Sequence, residues 1–280
     1  MRINIAKSSG FCFGVRRAIN MSRELASSGK SVYVLGDIVH NSFVVRELKE
    51  KGIKKIGKIR PVKNAILIIR AHGASRKTFR KARSCGYTIV DATCPKVKDI
   101  YKIARNLEKK NKIIIIGDYN HDEVKGIEGQ LRKKPIIIES PESLPFQKLK
   151  HMAKAAVITQ STQSIENIEN IMDKLKRIIP DARLYNTTCK TTRIKQEEIK
   201  SLPKENDLVL IIGSKTSANT KRLYQISKGI NKNTKWIESA KNLQKMWLKN
   251  IERIGIMAGA STPDRITHEV VDKLQKLARK

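Results

Sequence analysis

Apolar residues in this chain collect into short unbroken runs, and the stretches between them keep a different rhythm. VYVL (32–35), AILII (65–69), IIII (113–116), AAVI (155–158), LVLII (208–212) and IGIM (254–257) are brief and mostly rich in β-branched side chains. Such runs suit strands buried on both faces, because a half-exposed strand alternates apolar and polar positions. SFVVRELKEKG (42–52), SRKTFRKARSCG (75–86) and SIENIENIMDKLKRI (164–178) repeat their apolar positions at helical spacing instead. All three open on Ser and two close at Gly, as helices do. Strand alternating with helix predicts right-handed βαβ units, hence an α/β fold with mostly parallel sheets.

The runs fall into matched sets. VYVLGDIVHN (32–41), IIIIGDYNHDEV (113–124) and LVLIIGSKTSAN (208–219) each place a Gly and a polar tail after an apolar run. IIIESPESL (136–144) and WIESAKNL (236–243) form a second set, with KKIGKIRPV (54–62) as a poorer counterpart. AILIIRAHGAS (65–75), AAVITQSTQS (155–164) and RIGIMAGASTP (253–263) form a third. The fourth carries a cysteine each time: INIAKSSGFCFGV (3–15), TIVDATCPKV (88–97) and RLYNTTCKTT (183–192). The chain begins with a cysteine strand that has no unit before it, and ends in a helical segment that lacks one. Three similar small open α/β units follow: 14–95, 96–190, and 191–280 completed by residues 1–13. Set around a pseudo-three-fold axis, they would turn equivalent corners toward one central site.

In open α/β sheets ligands bind beyond the carboxyl ends of the strands. His40, Asn41, His72, His121, Glu123, Ser161, Thr162, Ser217, Asn219 and Ser261 all fall there, with Cys12, Cys94 and Cys189. Imidazoles, hydroxyls and an amide beside helix starts can donate to an anion such as phosphate. Glu123, two residues from a histidine, reads as a proton carrier among donors. Three thiolates do not make an ordinary structural zinc site, which takes four ligands, often as CxxC pairs absent here. An iron–sulfur cluster takes four cysteines, so three would leave one iron open to a substrate oxygen. Cys85 lies outside the repeat near a helix end and reads as packing.

Composition narrows the classes. At 280 residues and 40% hydrophobic, the chain can bury a sizeable core. No apolar run approaches the ~20 residues that span a bilayer, and MRINIAKSSG lacks the apolar core of a signal peptide. Four cysteines in such a chain point to a reducing compartment, and a cytoplasmic protein is expected. The net charge of +32 attracts acidic partners. The lysines are nevertheless spread along the chain beside abundant Ile and Asn, and few aromatics are available for base stacking. Neither nucleic acid nor membrane is expected as a partner. A basic nucleic-acid-binding protein and a structural zinc protein remain the alternatives from other classes; both would be colourless.

The motifs GFCFGVRRAI, VHN, AHG, DATCPKV, HDEVKG, TQST, NTTCKTTRIKQE, GSKTSANTKRL and AGASTPD together resemble the LytB-type 4-hydroxy-3-methylbut-2-enyl diphosphate reductases of non-mevalonate isoprenoid synthesis. The resemblance covers essentially the whole chain in collinear order. It implies three α/β units around an oxygen-sensitive 4Fe–4S cluster ligated by Cys12, Cys94 and Cys189. It implies a diphosphate held by His40, His72, His121, Ser217, Asn219 and Ser261, with backbone help at Ala218 and a contact from Thr162. Glu123 would relay protons to the allylic hydroxyl, and Ser161 would contact Glu123. Two electrons, delivered singly by an acidic flavodoxin- or ferredoxin-type protein, would yield isopentenyl and dimethylallyl diphosphate.

Three positions depart from the family pattern. Ser161 stands where threonine is usual, Ala218 where serine is common, and Asp122 where proline is common. The first keeps the hydroxyl without the stiffening β-branch. The last is expected to loosen the His121–Glu123 loop and to add a negative charge.

Overall fold

The structure, a computed structural model, describes residues 1–278. After β1 (Arg2–Ile5) and α1 (Phe13–Ala26) come β2 (Ser31–Leu35), α2 (Ser42–Glu50), β3 (Lys54–Ile56), β4 (Ala65–Ile69), α3 (Arg76–Ser84) and β5 (Tyr87–Asp91). Helix α4 (Pro95–Glu108) leads to β6 (Lys112–Ile116), α5 (Asp122–Glu128), β7 (Ile136–Ile138), α6 (Phe146–Leu149), β8 (Lys154–Thr159), α7 (Ile165–Ile178) and β9 (Asp181–Tyr185). Helix α8 (Lys190–Ser201) leads to β10 (Leu208–Ile212), α9 (Ala218–Ile230), β11 (Thr234–Ile237), β12 (Arg253–Ala258) and α10 (Asp264–Ala278).

The strands form three four-stranded sheets, ordered β3-β2-β4-β5, β7-β6-β8-β9 and, read in the same sense, β11-β10-β12-β1. Neighbouring strands are parallel throughout. The repeated order is that of three similar α/β units, as the matched runs predict. Strand β1 pairs with β12 from Arg2↔Arg253 to Ile5↔Ile256, at the edge position that β5 and β9 hold in their own sheets. The chain divides into two compact units. One holds Met1–Arg16, His40–Val45 and the chain from Lys190 onward, with the third sheet; the other holds Arg17–Val39 and Arg46–Cys189, with the first two sheets.

Unbroken apolar runs are needed because the central strands are covered on both faces. Along β6, Ile113 and Ile115 pack with Val97, Ile100 and Ala104 of α4 and with Val124 and Ile127 of α5. Ile114 and Ile116 point the other way, onto Ile168, Ile171 and Leu175 of α7. The third sheet repeats the arrangement. Leu208, Leu210 and Ile212 meet Ile266, Val270 and Leu274 of α10, while Val209 and Ile211 meet Ile199 of α8 and Leu223 of α9. Alternate side chains of a strand leave opposite faces, so a polar residue anywhere in such a run would be buried. Each isoleucine buried this way contributes about 1.5–3 kcal/mol.

Candidate active site

The three repeat cysteines sit at one recurring corner. The N–H of Cys94 donates to the carbonyl of Ala71 at 2.9 Å, that of Cys189 to Ser161 at 2.9 Å, and that of Cys12 to Ala260 at 3.1 Å. Each accepting carbonyl lies two residues beyond the end of β4, β8 or β12. The donor arrives each time from the neighbouring edge strand, β5, β9 or β1, and a helix starts just after each cysteine. All three side chains are half-buried. Cys85 differs: it ends α3 and packs against the core of the first sheet with Ala82 and Tyr87.

In the unit of the first two sheets, Glu123 sits in the first turn of α5 and is only 2% exposed. Its Oε1 accepts the backbone N–H of Ser161 and its Oε2 pairs with the Ser161 hydroxyl, each at 2.6 Å. The N–H of Glu123 donates to Nδ1 of His121 at 3.1 Å, so the histidine caps the helix that carries the acid. With Nδ1 accepting, a neutral His121 carries its proton on Nε2 and offers that nitrogen as a donor. The rings of His72 and His121 stand edge to face, 5.4 Å between centroids. The Oγ1 of Thr162 accepts from Nε2 of Gln160 at 2.8 Å.

Two further contacts hold this corner. The Tyr101 hydroxyl donates to the His72 carbonyl at 3.3 Å, and burial, with the nearby charges of Glu123 and Asp91, raises its pKa. Gly73 has φ +78°, and a Cβ there would strike that hydroxyl, so glycine is required on both counts. Asp122, expected to loosen the loop, is instead gripped by a two-pronged ion pair with Arg70 at 2.6 and 2.7 Å. Bidentate Arg–carboxylate pairs fix geometry as well as charge, so the loop is tied and its added charge is met.

In the other unit, Asn41 begins α2, its Oδ1 accepting from the N–H groups of Phe43 and Val44 at 3.0 and 3.2 Å. Ser261 donates its hydroxyl to the His40 carbonyl at 3.0 Å. Ser217 caps α9, accepting from the Thr220 N–H at 3.3 Å, with Ala218 as the first helical residue. Asn219 is 5% exposed, and its Nδ2 has no hydrogen-bond partner among the described residues. A buried amide left unmatched costs about 1–3 kcal/mol, which an anionic ligand would recover.

Two residues here escape the sequence reading. Lys195 is fully buried and donates to the carbonyls of Ser8 and, at 3.2 Å, Ala258. Burial pulls its pKa down to about 8, against the opposing charges of Cys12, Glu198 and Asp264. Glu198, one turn on, accepts from the N–H groups of Lys7 and Ser8 at 2.5 and 2.8 Å and pairs with the Ser8 hydroxyl at 2.5 Å. Helix α8 thus fastens the loop that leads to Cys12. The i, i+3 spacing puts both on one helix face, but sequence alone does not name the loop they hold.

Residues 3–275 match the LytB protein family. The chain belongs to the LytB family. The 4-hydroxy-3-methylbut-2-enyl diphosphate reductase of Aquifex aeolicus is 38% identical over 280 residues, covering 98% of this chain and 96% of that one. The enzyme of the same name from Caldanaerobacter subterraneus subsp. tengcongensis is 39% identical over 286 residues, covering 99% and 98%. Among solved structures, (E)-4-hydroxy-3-methyl-but-2-enyl diphosphate reductase, the terminal enzyme of the non-mevalonate pathway, matches the LytB chain with a TM-score of 0.71 at 37% identity. That match covers 99% of this chain and 100% of the other. The E-1-hydroxy-2-methyl-but-2-enyl-4-diphosphate reductase of Plasmodium falciparum matches with a TM-score of 0.90 at 29% identity, covering 98% and 88%.

Proposed function

We propose that this chain is an iron–sulfur reductase that converts 4-hydroxy-3-methylbut-2-enyl diphosphate to isopentenyl and dimethylallyl diphosphate. The observation that carries the reading is the corner shared by Cys12, Cys94 and Cys189, each with the same backbone bond and a half-buried thiol. Three soft sulfur donors in equivalent settings suit a 4Fe–4S cluster with one iron free of protein ligands. When bound, the cluster supplies single electrons and a Lewis acid. The reaction replaces the C–O bond of the allylic alcohol by C–H, with two electrons and two protons consumed and one water released.

The chain's own residues do the rest. Glu123, with both oxygens on Ser161, holds the proton given to the departing hydroxyl, and Ser161 keeps the carboxyl aimed. His121, with Nδ1 engaged by the Glu123 N–H, presents Nε2–H to a diphosphate oxygen. His40, His72, Thr162, Ser217, Asn219 and Ser261 complete the diphosphate contacts, with the N–H of Ala218 at the start of α9. Holding the far diphosphate fixes the reacting carbon by position rather than by direct contact. The electrons come from an acidic flavodoxin- or ferredoxin-type protein.

Anaerobic purification tests the reading. A brown protein with iron and sulfide in near-equal amounts, turning over the allylic diphosphate with reduced methyl viologen, is expected. A colourless protein holding zinc and no iron would end it.

A further inference from the structure

A groove of about 600 Å³ runs between α3 and α4, and no role described so far uses it. Arg76, Arg80, Arg83, Lys98 and Arg105 line it, with Asp91 as its one carboxylate. Asp91 is already engaged, by Lys98 at 2.6 Å and by the N–H and hydroxyl of Thr93. Arg105 reaches Gln130 at 3.2 Å. Lysine outnumbers arginine roughly two to one along the chain, yet four of these five cations are arginine. General drift toward lysine does not produce that inversion. Arginine's planar fork matches carboxylate pairs, which lysine meets only as a point charge.

Arg76, Arg80 and Arg83 follow one another at i, i+4 and i+7 on α3, a stripe about 10 Å long at 1.5 Å per residue. A small anion calls for donors converging on a point; a stripe suits a row of carboxylates on another protein. The groove also borders a cysteine corner. Thr93, which lines it, precedes Cys94 directly, and Cys94 packs against the core that contains the lining residue Tyr101.

We propose that this groove is the docking face for the acidic one-electron donor protein, placing it beside Cys94; this rests on the reductase reading above. Each docking passes one electron, so two reduced donors are oxidised for every C–O bond replaced, with the two protons and one water already counted. Nucleic acid is less well served: of the two aromatic residues that line the groove, Tyr101 is only 6% exposed and Phe79 packs against the core of the first sheet, which leaves little ring surface for bases.

The test uses anaerobic holoenzyme, wild type and R80E/R83E, with a photoreduced acidic flavodoxin and, in parallel, with reduced methyl viologen, which needs no docking face. The KM for flavodoxin should rise about tenfold or more and lose most of its salt dependence. Methyl viologen turnover should stay within about twofold, and R80K/R83K should keep most of the flavodoxin affinity. An unchanged flavodoxin KM in R80E/R83E overturns the proposal, as does an equal loss with both reductants. So does an unchanged KM joined to lost retention on duplex DNA, which assigns the face to nucleic acid. A wild-type chain inert even with methyl viologen overturns the reductase reading itself, and the docking face with it.

Discussion

Glu123 holds Ser161 with both carboxylate oxygens, one on the backbone N–H and one on the hydroxyl, at 2.6 Å each. The carbonyl of the same serine accepts the N–H of Cys189 at 2.9 Å. A single residue therefore links the proposed proton carrier to a proposed cluster ligand, through one side-chain contact and two backbone ones. Serine for threonine here removes a methyl group and keeps every one of these bonds.

Replacing Glu123 with Gln should lower turnover about 10²–10⁴-fold, the usual loss when a positioned proton donor is removed. Iron content and substrate affinity should change little, because the side chain keeps its shape. Steady-state kinetics with reduced methyl viologen, beside iron analysis, checks this. Near-normal turnover would remove Glu123 from proton transfer.

Ser161→Ala removes the hydroxyl contact and leaves the backbone one. Hydrogen bonds to charged groups contribute about 1.5–3 kcal/mol, which corresponds to about a 10- to 100-fold loss in kcat. Ser161→Thr should stay within about threefold of wild type. An alanine variant as active as the threonine one would show that the backbone N–H alone orients the acid.

Much of this was legible in the sequence, because the signals are local. Runs such as IIII at 113–116 announce strands covered on both faces, and the Gly that follows the first matched run of each unit, at 36, 117 and 213, marks the repeated turn. A cysteine keeping its place in each repeat is equally local. What escaped depends on partners distant in sequence. Nothing near Asp122 announces Arg70, 52 residues earlier, so a charge in place of a rigid residue read as loosening when it is a tether. Nothing local in the sequence singles out Lys195 or Glu198, since their partners near Ser8 lie some 190 residues away.

Each of Cys12→Ser, Cys94→Ser and Cys189→Ser should strip most iron and sulfide from the anaerobically purified protein, and Cys85→Ser should leave both unchanged. Visible absorption with metal and sulfide analysis reads this directly. A colourless Cys85→Ser protein would move a ligand to that position.

Glu198 supplies a pH dependence whose sign can be worked out. Burial alone would raise its pKa, but the Ser8 hydroxyl, the Ser8 and Lys7 N–H groups and the Lys195 charge together lower it from the ordinary 4.5. A carboxyl lowered in the fold contributes stability above its unfolded pKa and loses it as pH falls through the folded one. Glu198→Gln should therefore melt below wild type at pH 7, and the gap should close as pH falls below 4.5 and through the lowered folded value. Thermal melting of the metal-free proteins at several pH values follows it; a gap constant with pH would mean that packing, not charge, is what the glutamate provides.

The Arg70–Asp122 pair tests whether a tether outside the reacting groups controls their aim. Both side chains are largely covered, at 20% and 22% exposure, and Asp122 lies between His121 and Glu123 in sequence. Gly36, at φ +74°, leaves the room that the Arg70 guanidinium occupies. Removing either partner strands a half-buried charge, so Arg70→Ala and Asp122→Ala should each cost stability, with a coupling of about 1 kcal/mol or more in the double-mutant cycle. Turnover should fall with stability in both single variants, because α5 carries His121 as its cap and Glu123 in its first turn. Asp122→Pro distinguishes aim from charge: a proline pre-set for the first helical position should recover turnover while leaving Arg70 unpaired. If Asp122→Pro instead matches Asp122→Ala in turnover, the ion pair itself aims the acid, and a rigid backbone is no substitute for it.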